Sequence, residues 1–265
     1  MSSSIIRGKH VITRVIGDNA SEVIDDGAVY QENGAIVEVG SYQDLGERYS
    51  PDEVVGDGSH LVMPGLVNAH HHVGLTPFQL GSPDLALEPW IVVRTMNRDV
   101  DNYLDTLYCA IQMIEAGITT VMHNHATWRK TEGSGFHDSG AHVLQAYQDA
   151  GMRVAFSFSH RDQNRVVYQN DEQFLATLPP DLAARINRRL LETQMSTEEY
   201  VALFKGLSQD FSEDPRIRVF LSPGNVQWCS DPFLQAVKEA AGEHGTGIHI
   251  HLQESFYQKL SLIHI

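Results

Sequence analysis

The alternation of apolar, strand-like runs with amphipathic, helix-like segments after Pro64-Gly65 constrains the fold of this chain more than any other feature. Strands and helices that follow one another in this order form βαβ units, in which helices cover a parallel sheet. The pattern therefore predicts an α/β fold. Five strands are predicted after Gly65, at 66–67 with the histidines that follow, 118–122, 153–158, 217–221 and 247–252.

Helices are predicted between these strands from the spacing of their apolar residues. Over about 100–116, apolar residues recur at helical spacing and share one face. A helix at about 138–150 follows the second strand, and the long stretch 171–214 predicts an extra helical insertion. The last helix is expected to begin at Asp231-Pro232, because proline is favoured at the first helical position.

The first 62 residues follow a different pattern, in which short β-rich runs are separated by turn residues. Asn33-Gly34 lies between two apolar runs, and this dipeptide is the strongest short-range indication of a β-hairpin. We therefore predict a small β domain over 1–62 that contains this hairpin.

A His-x-His motif follows the first predicted strand after Gly65. Side chains two residues apart in a strand point to the same face, so His70 and His72 point together while His71 points away. Two imidazoles at one strand end can bind one metal ion. A structural pair of histidines would explain the same spacing, and the motif alone does not separate the two interpretations.

A second pair of histidines lies in the last predicted strand, with a carboxylate shortly after it. His249 and His251 share a strand face, and Glu254 comes three residues beyond His251. An imidazole that holds a metal and a glutamate that moves protons to and from water together suit hydrolysis. A hydrogen-bonded structural pair remains the alternative interpretation of this motif.

Taken together, these motifs resemble the signatures of the amidohydrolase superfamily, and most of all its cytosine deaminase and atrazine chlorohydrolase-like branch. The run 64–72 is similar to the first-strand signature, 251–254 to the fifth-strand His-x-x-Glu, and 116–121 to the entry of the second strand. The stretch 26–40 resembles the small β-sandwich that precedes these barrels. The resemblance covers residues 5–254, and it points to the superfamily without naming a substrate.

The resemblance implies a (β/α)8 TIM barrel, truncated after about strand five and preceded by part of a small β-sandwich. A barrel of this kind takes about 250 residues, whereas 200 residues follow Gly65. The expected domains are the β-sandwich part at 1–62, the barrel strands one to five at 63–258, and a non-native tail at 259–265. We therefore hypothesise that the sequence is a truncated version of a longer gene product.

Roles for individual residues follow from the same resemblance. His70, His72 and His251 are expected to be ligands of one divalent metal, and Glu254 is expected to be the proton shuttle. The exit of strand four, 221–228, contains no Lys or Glu that could bridge two metals, which favours a mononuclear site. Imidazole ligands suit Zn and Fe(II) equally.

The implied reaction is hydrolysis of a carbon–nitrogen bond other than a peptide bond in a small molecule. Hydrolytic deamination of a nitrogen heterocycle is the favoured chemistry, in which water activated at the metal attacks an sp2 carbon. The alternatives are hydrolysis of an amide, a urea or a chlorinated heterocycle at the same site, or an inactive truncated fragment.

Three further residues are candidates for substrate contact, because active sites of this fold gather at the carboxyl ends of the strands. His125 and His160 end the second and third strands, and Trp90 lies in the loop after the first. His125 could equally be a packed residue of the barrel rim. His249 lies deeper in the barrel than His251, so we expect it to pack there rather than to bind metal.

Charge and composition limit the kinds of partner that the chain is expected to bind. The chain has 34 Asp and Glu and 19 Lys and Arg, which gives a net charge of −15. This charge disfavours binding to nucleic acid and to anionic membranes. No apolar run approaches the length of a membrane span, and no signal peptide is evident. The two cysteines, Cys109 and Cys229, do not suggest a disulfide framework. A cytoplasmic protein is expected, and homo-oligomerisation stays open.

Overall fold

The structure is a computed structural model, and it divides into two compact units, Met1–Gly65 and Leu66–Ile265. The residues that it describes are 2–72, 83–94, 100–126 and 135–262. Within these ranges, every helix is too short or too polar to span a lipid bilayer.

The first unit is a five-stranded sheet with one helix on it. Its elements are β1 (Ser3–Gly17), β2 (Ala20–Glu32), β3 (Ala35–Ser41), α1 (Tyr42–Arg48), β4 (Glu53–Val55) and β5 (Leu61–Val62). The long strands β1, β2 and β3 are antiparallel neighbours, and β4 and β5 both run parallel to β1. The buried core of this unit consists of Ile5, Ala28, Tyr30 and Leu45.

The predicted hairpin at Asn33-Gly34 is confirmed. Both residues have positive φ angles, 53° and 81°, and they join β2 to β3. A two-residue hairpin turn of this kind needs a left-handed backbone at both central positions, which Asn and Gly tolerate best.

The second unit has the predicted α/β architecture, with a parallel sheet of order β6-β7-β8-β9. Its strands are β6 (Leu66–His71), β7 (Ile118–His125), β8 (Arg153–His160) and β9 (Ile217–Pro223). Its described helices are α2 (Leu87–Arg94), α3 (Asn102–Glu115), α4 (Phe136–Ala150), α5 (Asp171–Leu175), α6 (Pro180–Glu192), α7 (Thr197–Asp210), α8 (Asp231–His244) and α9 (Phe256–Leu262). The helices predicted near 100–116 and 138–150 correspond to α3 and α4, and the helical insertion to α5, α6 and α7.

The prediction of a fifth strand at 247–252 is wrong. Within the described residues, this segment forms a single isolated parallel bridge, between Leu221 and Ile248. Two backbone hydrogen bonds of Leu221 support the bridge, with Gly247 and His249 as partners. The extended conformation then ends, because Gln253 adopts a left-handed backbone with φ of 55°. The segment therefore touches β9 at one point and continues as a loop.

The expected tail at 259–265 is described in part. Residues 259–262 continue helix α9, and residues 263–265 lie outside the described residues.

Alternation along β7 and β8 gives the sheet an apolar, helix-covered face and a polar face. Phe156 and Phe158 belong to the buried core that the helices share with the sheet. His123 lies on this same face, since its Nδ1 is 3.2 Å from the Tyr147 hydroxyl of α4. On the opposite face, the Asn124 amide donates to the Ser222 hydroxyl at 2.9 Å.

His160, the last residue of β8, belongs to the helix-covered face. Its side chain is buried, its Nε2 donates to the Met195 carbonyl at 3.1 Å, and its ring stacks on Tyr200. Burial lowers the pKa of His160 from 6.5 to about 4, against the opposing effects of Asp162 and of the hydrogen bond to Met195. Neutral His160 is therefore part of the folded state.

Acidification is expected to destabilise the second unit through His160. The folded-state pKa of His160 is about 4, below the ordinary 6.5. Above pH 6.5 the residue is neutral in both the folded and the unfolded chain, so the full stability is present. As the pH falls from 6.5 towards 4, the unfolded chain binds a proton that the folded chain does not, and stability is lost. The loss should approach about 3 kcal/mol in the free energy of unfolding. Urea unfolding at pH 7 and pH 4 measures it.

The comparison variants are H160Q and, as a control, H142Q on the exposed face of α4. The H160Q chain should lose less stability than the wild type between the two pH values, whatever its stability at pH 7. The H142Q chain should behave as the wild type does. An unchanged pH dependence in H160Q would show that His160 does not carry the effect.

Candidate metal centre

Three histidines that are far apart in sequence meet at the carboxyl end of the parallel sheet. His70 and His72 come from the end of β6, and His251 follows the bridge beside β9. One nitrogen from each ring can be chosen so that the three atoms lie within 4.8 Å of one another. His70 is exposed, and the other two are half-buried. The structure thus brings together the three residues predicted as metal ligands.

Backbone carbonyls determine which nitrogen carries the proton in two of these rings. The Nδ1 of His72 lies 2.7 Å from the Asn124 carbonyl oxygen, and the Nδ1 of His251 lies 3.3 Å from that of Gly224. A carbonyl can only accept a hydrogen bond, so each Nδ1 must be the protonated donor. In the neutral ring, Nε2 then keeps its lone pair.

The two nitrogens that keep a lone pair face each other. Nε2 of His72 and Nε2 of His251 are 3.1 Å apart. With both ring protons on the carbonyl side, no hydrogen bond can join these two neutral rings, whereas one cation can bind both lone pairs. Tetrahedral Zn²⁺ with bonds of about 2.0–2.1 Å holds adjacent nitrogens about 3.4 Å apart. The donor set therefore fits a divalent metal ion.

Desolvation favours the neutral form of two of the three rings, those of His70 and His251. His70 is exposed as a whole, yet the surrounding protein partly desolvates its ring and so lowers its pKa, and the charge of His251 adds to this effect. Desolvation also lowers the pKa of His251, against the opposing hydrogen bond to Gly224. Only an unprotonated imidazole nitrogen binds a metal, so these lowered pKa values suit ligation at neutral pH.

His249 lies directly beside the cluster. Its Nε2 is 3.0 Å from Nδ1 of His70, and its Nδ1 is 3.3 Å from the hydroxyl of Ser157 on β8. Burial lowers the pKa of His249 to about 4. His249 is outside the group of three histidines whose nitrogens converge.

Glu254 follows the left-handed residue Gln253, and its backbone N–H donates to the side-chain oxygen of Gln258 at 3.0 Å. The residue is exposed as a whole, yet the surrounding protein partly desolvates its carboxyl and raises its pKa. The charges of His70 and Arg161 oppose this rise. Glu254 is thus a carboxylate within electrostatic reach of the histidine cluster.

A hydrogen-bonded group holds the loop next to Glu254. The hydroxyl of Ser255 donates to Oε1 of Glu88 at 2.5 Å, and the hydroxyl of Tyr168 donates to the same oxygen at 2.8 Å. Glu88 belongs to α2, so this helix is tied to the loop that carries Glu254. Trp90, predicted to contact substrate, lies two residues further along α2, half-buried.

The other two residues predicted to contact substrate lie away from the cluster. The Nε2 of His125 is 3.3 Å from the hydroxyl of Ser139 on α4, and its ring packs edge-on against Phe158. His160 is buried against Met195 and Tyr200, as described above. Both histidines therefore face the helices, and substrate contact by them stays a prediction.

Sequence reasoning missed Ser157. Ser157 lies on the polar face of β8, and the alternation of small residues with phenylalanines over 155–159 would have indicated that face. The guanidinium of Arg161 lies 3.6 Å from the ring centre of Trp228. Its positive charge adds to the lowering of the pKa of His251 and opposes the rise in the pKa of Glu254.

The fold is similar to that of a solved deaminase. The structure of an adenosine deaminase from Xanthomonas campestris with bound zinc superposes with a TM-score of 0.72 at 22% sequence identity. The match covers 99% of this chain and 52% of that one. At this level of identity, the similarity concerns the fold alone.

Sequence relatives are deaminases of adenosine derivatives. A 5-methylthioadenosine/S-adenosylhomocysteine deaminase of Desulfitobacterium hafniense is 28% identical over 235 residues, which is 87% of this chain and 45% of the relative. A 5′-deoxyadenosine deaminase of Methanosarcina mazei is 27% identical over 267 residues, or 99% of this chain and 51% of the relative. The chain thus spans about half the length of the curated relatives it matches.

A family model covers most of the chain. The model of the amidohydrolase family matches residues 61–259, which include all of β6 to β9, the three converging histidines and Glu254. On this match, the chain belongs to the amidohydrolase family.

Proposed function

We propose that this chain is part of a metal-dependent hydrolase that deaminates a nitrogen heterocycle. The observation that carries the proposal is the convergence of three imidazoles, those of His70, His72 and His251, with one nitrogen of each ring within 4.8 Å of the others. The names of the relatives support the amino-heterocycle as substrate class.

His70, His72 and His251 would hold one divalent ion, Zn²⁺ or Fe²⁺, since neutral imidazoles suit both. When bound, such an ion lowers the pKa of a water molecule at the site and so supplies a nucleophile at neutral pH. The exit of β9, over 221–228, offers no Lys or Glu as a bridge, which supports a mononuclear centre.

Glu254 would move the protons of the reaction. As a carboxylate it would accept a proton from the attacking water and deliver it to the ring nitrogen. It would then carry the remaining proton of the added hydroxyl group to the departing amine, so that the carbon is left as a carbonyl. The new C–O bond replaces the C–N bond, and ammonia leaves. Desolvation raises the pKa of Glu254, which brings its proton affinity closer to that required near neutral pH.

We further propose that the parallel sheet is the first part of a (β/α)8 barrel, with the barrel part at 63–258 and a β-sandwich part at 1–62. The support is the coverage of 52% of the zinc-bound adenosine deaminase chain by this one. A full barrel takes about 250 residues, more than the 200 residues that follow Gly65.

The purified chain is expected to bind about one equivalent of Zn²⁺, and the variants H72A and H251A should lose that binding. Each substitution removes one of the two facing nitrogens, so the remaining pair of imidazoles holds the ion far more weakly. Isothermal titration calorimetry and elemental analysis after dialysis give the affinity and the stoichiometry.

H142A, on the exposed face of α4, is the matched control and should bind as the wild type does. A wild type that binds no zinc would overturn the proposed centre. Full binding by both H72A and H251A would show that the ion is held elsewhere.

The variant E254Q is expected to keep zinc and to lose ammonia release from amino-heterocycles such as 5′-deoxyadenosine. Glutamine cannot accept and return the proton, and loss of general acid–base catalysis lowers rates by about 10²–10⁴-fold. An ammonia assay of zinc-loaded wild type and E254Q chains measures the effect.

E243Q, on the exposed end of α8, is the control for the loss of one carboxylate and should release ammonia at the wild-type rate. An E254Q chain as active as the wild type would contradict the role of Glu254. A wild-type chain that binds zinc but releases no ammonia from any amino-heterocycle would contradict catalysis by this chain.

A further inference from the structure

A chain of hydrogen bonds leads from His70 into the sheet. Nδ1 of His70 lies 3.0 Å from Nε2 of His249, and Nδ1 of His249 lies 3.3 Å from the hydroxyl oxygen of Ser157. That hydroxyl donates to the backbone carbonyl of His123 at 3.2 Å. Ser157 is fully buried in β8, so the far end of the chain is fixed within the sheet.

The carbonyl at the end of this chain determines the direction of every bond in it. A carbonyl only accepts, so the single hydroxyl proton of Ser157 points to His123. The Ser157 oxygen must then accept from Nδ1–H of His249, which leaves Nε2 of His249 as the acceptor for Nδ1–H of His70. As a result, the lone pair of His70 is on Nε2, as it is in His72 and His251.

We propose that His249 is a positioning residue that, together with Ser157, fixes the tautomer and the orientation of His70 for metal binding. The inference rests on the proposed metal centre and adds to it the support of one ligand. Partners of this kind, on the outer nitrogen of a ligating histidine, typically change metal affinity by about 10–100-fold.

His70 depends on such support more than the other two histidines do. His72 and His251 are half-buried and donate directly to backbone carbonyls, whereas His70 is exposed. Its Nδ1 lies next to Nε2 of the His249 side chain. An exposed imidazole without this acceptor is free to rotate and to place its proton on either nitrogen.

The alternative is that His249 binds the metal itself. In the structure its Nε2 points to Nδ1 of His70, and the other ring nitrogen points to Ser157. Both nitrogens are thus engaged along the hydrogen-bonded chain, and His249 is absent from the converging group. These contacts favour positioning over ligation.

The test compares the affinity for Co²⁺ alone in the full chain and its variants, by competition with a chromophoric chelator. H249L removes the acceptor and should weaken binding by about 10–100-fold. H249Q offers a side-chain oxygen in place of Nε2 and should recover most of that loss. S157A should weaken binding less than H249L, and S157A/H249L should bind no more weakly than H249L, because both residues act through one chain of bonds.

H142L is the matched control and should bind as the wild type does. The absorption spectrum per bound Co²⁺ should be the same in the wild type and H249Q, since the ligands do not change. Equal affinity of H249L and wild type would overturn the inference and leave the metal centre intact. A changed ligand spectrum in H249Q would identify His249 as a ligand and overturn positioning. A wild type that binds no Co²⁺ would overturn the metal centre and the inference together.

Discussion

A peptide carbonyl can accept a hydrogen bond but cannot donate one, and this limitation orders the whole histidine cluster. The carbonyls of Asn124 and Gly224 hold the ring protons of His72 and His251 on the side away from the cluster. The carbonyl of His123 does the same for His70 through two intermediate side chains. Each of the three rings is thereby left with its lone pair on Nε2, because β7 and the residue after β9 supply the acceptors.

The parallel sheet makes this arrangement available, because its strands all end at the same edge. Their alternation also separates two environments: helices cover the apolar face, and the polar face carries Asn124, Ser157 and Ser222. A buried polar side chain is costly unless it has hydrogen-bond partners. On this sheet the Asn124 amide of β7 donates to Ser222 of β9, and the Ser157 hydroxyl of β8 donates to the His123 carbonyl of β7, so these polar side chains are hydrogen-bonded within the sheet.

Much of the site followed from spacing and family resemblance, since the strand alternation that pairs His70 with His72 is a local property. Whether a histidine faces solvent or a covering helix is not a local property, because it depends on which elements pack against its face of the sheet. His125 and His160 lie on the same face of the sheet as Phe156 and Phe158. The helices that bury those phenylalanines bury both histidines as well. Nor did the alternating pattern at 247–252 ensure a strand, because ladder formation depends on a neighbour, and Ile248 pairs only at one point. The carbonyl acceptors are common to every residue type and leave no trace in a sequence.

The different lengths of the three hydrogen-bond routes have an evolutionary consequence. A backbone acceptor is kept in almost any amino-acid replacement at its own position. Replacements at positions 124 and 224 should therefore leave the tautomers of His72 and His251 unchanged. The tautomer of His70 depends on two side chains that mutation can replace. Among relatives that keep all three histidines, the residues at 157 and 249 should therefore vary together.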